Sequence, residues 1–211
     1  MKKFLLLFIL QFFICNSFAL QNELDSLFNS LKKTKEDSGR VNILNDITWE
    51  YWQNSIHDSA RFFGKEALKI ARKINYLRGT AIALRYLGMS YREQSVNDSA
   101  LLFLKNSQKI FETTGQQNQV AILNRDIGKI YFSQGDFKTA GELYLKAIKI
   151  LENTTDKGSL ANCYNDLADI LTQKNDFESA LGYFKKSISL KEEVGEGDYT
   201  GGALSGIGAI Y

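Results

Sequence analysis

The sequence predicts an all-helical solenoid built on a 40-residue repeat, and three observations predict it. Ala60, Ala100, Ala140 and Ala180 stand 40 residues apart. A second small-residue column, Thr48, Gly88, Gly128, Ala168 and Gly208, keeps the same step twelve residues ahead of each alanine position, with Tyr51, Tyr91, Tyr131, Leu171 and Tyr211 three residues after it. The third observation is that none of the 211 residues is proline, so nothing removes an amide from a helical ladder. Self-similarity at such a period marks units that stack on their neighbours and cannot bury an apolar face alone.

The N-terminus is read separately. Lys2 and Lys3 precede an uncharged apolar run from Phe4 to Ile14, and Ser17 and Ala19 supply small residues at cleavage positions. Residues 1–19 are therefore expected to be a secretory signal peptide, since eleven apolar residues fall short of a bilayer core of ~30 Å. Ile14, which is bulky, precedes Cys15 and disfavours lipoprotein processing there. Losing Lys2 and Lys3 takes the formal charge from +2 to zero, which removes the case for a nucleic-acid partner. Cys163 is then the only thiol, so no intrachain disulfide is expected.

The elements follow in order. Leu24, Leu27, Phe28 and Leu31 give an amphipathic helix from Gln21 to Ser38, within a capping segment placed at 20–39, with Gly39 as its stop signal. Repeats follow at 41–80, 81–120, 121–160 and 161–200, with a partial unit at 201–211. In each, a first helix ends near Gln53, Glu93, Ser133 or Gln173, and a polar turn leads to a second helix. The second helices open near Asp58, Asn97 or Asp98, Asp136 and Asp176, whose side chains suit a helix N-terminus. Their expected apolar stripe contains Phe63, Ala67 and Ile70; Phe103 and Ile110; Leu143, Ala147 and Ile150; and Leu181, Phe184 and Ile188. The small columns have a steric reason, because antiparallel helices approach closely only where a side chain is small.

These columns resemble the tetratricopeptide repeat. The second unit shows Leu84, Leu87-Gly88, Tyr91 and Ala100; the third Asn124, Ile127-Gly128, Tyr131, Ala140, Tyr144 and Ala147; the fourth Tyr164, Leu167-Ala168, Leu171, Ala180 and Phe184. The period of 40 exceeds the usual 34 and the closing proline is missing, as in a longer-repeat branch of the family. The resemblance implies a right-handed α-solenoid of helix-turn-helix units whose first helices line a ligand-binding face. It also implies which positions face the ligand: Asn45, Trp49, Trp52 and Gln53; Arg85, Met89, Arg92 and Glu93; Arg125, Lys129, Phe132 and Ser133; Asn165, Asp169, Thr172 and Gln173. The face grades from aromatic through basic to polar and acidic. Arg85, Arg92, Arg125 and Lys129 suit the carboxylates of an acidic extended peptide, because a guanidinium fork matches two oxygens, and Trp49, Trp52 and Phe132 suit its apolar side chains. The competing reading is a solvated helical face.

Catalytic chemistry has no foothold in this sequence. His57 is the only histidine and is expected in a solvated turn, and Cys163 is expected to be a small buried group. No metal-ligand spacing or phosphate loop appears, so neither a metal nor a cofactor is expected. The leading expectation is a non-enzymatic scaffold binding protein or peptide, exported to the periplasm or cell envelope. The alternative is the truncated input region of a membrane-bound histidine kinase or regulator, suggested by similarity to exported arrays of this kind and by the uncovered Tyr211. Contact with a membrane is expected only through an uncleaved signal or a missing C-terminal segment.

Overall fold

The computed structural model describes residues 20–211, apart from the side chains of Asp198 and Tyr199; the expected signal peptide at 1–19 lies outside the described residues. The described chain is helical, and it forms two compact units divided between Gln94 and Ser95, in the turn inside the 81–120 segment. The first unit contains α1 (20–33), α2 (Ser38–Gln53), α3 (His57–Lys73) and α4 (Leu77–Glu93). The second contains α5 (Asn97–Thr113), α6 (Gln117–Ser133), α7 (Phe137–Leu151), α8 (Lys157–Gln173) and α9 (Phe177–Glu193). A short 3-10 turn (Gly197–Thr200) and α10 (Gly201–Ile210) complete it.

Within each unit, consecutive helices pack as antiparallel neighbours, and alternate helices also touch, as α2 does α4 and α6 does α8. The first helices end at Gln53, Glu93, Ser133 and Gln173, the positions read from the sequence. Each turn after them uses the same device. Ser55, Asn75, Ser95, Gly115, Gly135, Asn175 and Gly195 have φ between 55° and 79°, and they recur every 20 residues except at 155. The next amide then reaches back to close the helix end, as Ile56 does to Tyr51 O at 2.8 Å and Asp136 to Tyr131 O at 2.9 Å. The missing member is Thr155, whose branched Cβ disfavours the left-handed region. There α7 stops at Leu151, and the Thr154 hydroxyl donates to Leu151 O and accepts from the Asp156 amide.

Three expectations are corrected by the fold. The helix read as Gln21–Ser38 ends at residue 33, because Arg40 Nη1 donates to Leu31 O and Thr34 O while Asp37 caps α2 by accepting from Arg40 N. Gly39 therefore lies inside the first turn of α2. Asp136 and Asp176 do cap α7 and α9, accepting from Thr139 N and Ser179 N, but α3 and α5 begin after Ile56 and Val96 with no side-chain cap. The third correction concerns part of the second-helix stripe: Ala67, Ile70, Ala147 and Phe184 are buried as expected, but Phe63, Phe103 and Leu143 are not. A buried column runs through Gly64, Leu104, Tyr144 and Phe184, one residue beyond Phe63, Phe103 and Leu143, which are half-buried. It faces the small column: a methyl group on Gly128 would collide with the Tyr144 ring.

Candidate functional site

In the first unit the face formed by α2 and α4 is aromatic and open. Trp49 and Trp52 lie one turn apart on α2 and stack at 5.0 Å with an interplanar angle of 20°, and Trp49 meets Tyr86 of α4 at 5.5 Å. Both tryptophans are half-buried. Beside this row is a cavity of about 210 Å³ lined by Asn42, Asn45, Asp46, Tyr76, Arg78, Ile82 and Tyr86. Its most buried lining residue is Asn45, 3% exposed, whose Nδ2 donates to Gly79 O at 3.3 Å while its Oδ1 has no partner. Trp52 Nε1 is a second buried polar atom without a partner. Partial burial pushes the Asp46 carboxyl above its ordinary range. Burial also raises Glu50, with the charges of Glu23 and Asp46 adding to it.

The remaining first-unit positions carry less accessible chemistry. Met89 is 3% exposed and belongs to the core. Arg92 pairs with Glu93 at 2.5 Å, and Arg85 is half-buried. His57, expected in a turn, opens α3 with Nδ1 buried and unpartnered.

The second unit treats its charges differently. Arg125 Nε donates to Asp166 Oδ2 at 2.5 Å, Arg125 Nη2 lies 3.5 Å from Asp166 Oδ1, and Lys129 Nζ is 3.8 Å from Asp166. Asp166 is 8% exposed, so this is a largely buried charge cluster reaching from α6 to α8. Burial opposes the Arg125 charge, but Asp166 outweighs it and holds the guanidinium protonated. Asp169 is pushed up to about 6, first by burial and then by Asp166, against the pull of Lys129. Asn165 Nδ2 donates weakly to Asp169 Oδ2 at 3.4 Å. Phe132 is half-buried, packing on Phe137 at 5.3 Å and against the Ala140, Tyr144 and Ile170 core. Burial drives the Cys163 thiol up to about 12, which makes it inert in the folded unit.

Asp46, Tyr86, Asp126 and Asp166 share one register position, two residues before the small column, that the sequence reading did not place on this face. The signal was present as a carboxylate in three of the four repeats. Among the described residues no group of three metal-ligating side chains occurs, and no helix is long and apolar enough to cross a membrane.

The family model for the tetratricopeptide repeat matches residues 119–193, the span of α6 to α9. Over those residues the chain is similar to the tetratricopeptide repeat. The α2 to α5 helices, outside that match, carry the same small-residue columns and the same left-handed turns. The fold is similar to that of BtubC from P. vanneervenii, at 19% identity and a TM-score of 0.66, over 81% of this chain and 71% of that one. It is also similar to the apo form of RapI, at 17% identity and 0.72, over 86% and 67%. A third similar structure is a Rap protein complexed with Competence and Sporulation Factor, at 15% and 0.75, over 85% of this chain and 52% of that one. This chain thus spans about half the length of the Rap protein in that complex. At these identities the likeness shows the fold. No curated protein matches the sequence.

Proposed function

We propose that this protein is a non-enzymatic scaffold that binds a protein or an extended peptide along its first helices, and that it acts outside the cytoplasm. The observation that carries the reading is the open aromatic face of α2 and α4, where Trp52, Trp49 and Tyr86 form a row beside a cavity with an unpartnered amide oxygen. A helical repeat fold supports it, since stacked units present extended grooved surfaces suited to chains. The Rap structure cited above contains a bound factor, and a peptide role comes to this chain only as part of this proposal.

Export rests on the basic residues Lys2 and Lys3 and the apolar run that follows them. An acidic partner has weaker support than the sequence suggested, because Arg125 and Lys129 converge on Asp166 and Arg92 on Glu93. The test is a panel of acetylated, amidated hexapeptides titrated against the full chain. Saturable binding that falls at least tenfold in a Trp49→Ala, Trp52→Ala variant is expected, the size of losing an aromatic anchor worth ~2 kcal/mol. Failure of every peptide, together with failure to capture any protein through this face, would overturn the reading.

A further inference from the structure

The cavity between α2 and α4 is chemically one-sided. At its floor Asn45 is 3% exposed, its amide nitrogen is used by Gly79 O, and its buried oxygen has no donor. Asn42 Oδ1, at the rim, already accepts from the Tyr76 hydroxyl at 3.2 Å. Asp46 stands at the mouth with no cation in ion-pair range among the described residues, and Glu50 follows one turn later on the same helix. The wall is Tyr86, backed by Trp49. Acceptor floor, anionic mouth and aromatic wall are the three elements that hold a cationic side chain, through hydrogen bonding, charge and the negative ring face.

One lining residue opposes this arrangement. Arg78 is exposed at the rim, where its long side chain can extend into water. A carboxylate ligand drawn to Arg78 would have to face Asp46 and leave the Asn45 oxygen without a donor. A cationic ligand satisfies both.

We propose that this cavity receives a lysine or arginine side chain of the bound peptide, with Asn45 Oδ1 as acceptor, Asp46 as counter-charge and Tyr86 as the cation–π face. Trp52 Nε1, at the other end of the aromatic row, then has a peptide carbonyl as its natural acceptor. The inference rests on the peptide-binding reading and names the side chain that anchors it. Charge selectivity of this kind sits beside the basic residues of α4, so the first unit recognises a mixed rather than a uniformly acidic chain.

The test uses the full chain and acetylated, amidated hexapeptides identical except for one central residue, Lys, Arg, Gln or Glu. Trp49 and Trp52 are the two tryptophans of the protein, so quenching or a shift of its fluorescence reports this face directly. The Lys and Arg peptides are expected to bind roughly tenfold more tightly than Glu, with Gln between. Asp46→Asn should reduce that preference about fivefold without changing Gln binding, and Arg78→Ala should strengthen Lys binding. The two variants move affinity in opposite directions, which misfolding cannot mimic. Equal binding of all four peptides, or a preference for Glu, overturns the cationic anchor and leaves peptide binding intact. Absence of binding by any peptide overturns the anchor, and the underlying reading falls with it when protein capture through this face also fails.

Discussion

The two units use one backbone plan for different purposes. In the first, the α2 and α4 face keeps polar atoms unpartnered beside stacked aromatics, and its Asp46 has no ion pair among the described residues. In the second, the equivalent position on α8, Asp166, is buried and draws Arg125 and Lys129 onto itself. The same register position is therefore left without an ion pair in one unit and used for cohesion in the other. What differs is the partner: Asp166 meets Arg125 from 41 residues earlier on α6, and Asp46 has no ion pair among the described residues.

The largest expected effect breaks this comparison directly. Asp166→Ala strands the Arg125 charge in a mostly buried site and should cost the second unit about 3–5 kcal/mol in urea unfolding. Asp46→Ala, at an exposed mouth, should stay within about 0.5 kcal/mol. Comparable losses from both would show that the two carboxylates do the same job.

The next effect is in pH. Asp169 lies at about 6, above its unfolded value, so its contribution to stability is present at low pH and is lost as pH rises through about 6. Lowering the pH from 7 to 5 should favour the second unit by less than about 1 kcal/mol, after discounting for the partial exposure of the group. Asp169→Asn should flatten that slope, while the slope of the first unit stays the same.

Capping sharpens the contrast further. Asp136→Ala and Asp176→Ala each remove a cap and should cost about 1 kcal/mol in thermal unfolding. Asp58→Ala removes only an exposed pair with Arg61 and should cost less than about 0.5 kcal/mol. The smallest change is a gain. Ser55 and Ser95 hold φ of 59°, so Ser55→Gly should stabilise the first unit by about 0.5 kcal/mol.

The helices and their turns were legible because a 40-residue period superimposes several weak signals at each position. The second-helix stripe was placed one residue early at Phe63, Phe103 and Leu143, and at the first of these the reason is local. Phe63 is more hydrophobic than Gly64, yet glycine holds the buried position because Leu87 and Thr48 crowd it. Composition cannot rank a residue that is chosen for being small. The end of α1 was missed because Arg40, a residue of the next helix, satisfies its carbonyls.

The candidate face was partly legible. The sequence reading named Trp49, Trp52, Asn45, Arg125 and Lys129, but not the neighbours that surround them in the structure. Arg125 and Asp166 are 41 residues apart, one repeat plus one residue, and only packing of α6 on α8 shows that such positions meet. Asp46 and Tyr86 escaped for a similar reason, since the positions taken from the family resemblance lie one step round the helix.

The left-handed residues placed every 20 positions make chain length a quantity that changes in steps. Gly135-Asp136 and Asn175-Asp176 are equivalent junctions: each closes the helix before it and caps the helix after it. Joining Gly135 to Asp176 by removing the residues between them leaves both operations in place, whereas an excision that falls out of step puts a side chain with a branched Cβ, or no cap, where the chain must reverse. Growth and loss of repeats can thus proceed by whole units without inventing a new turn.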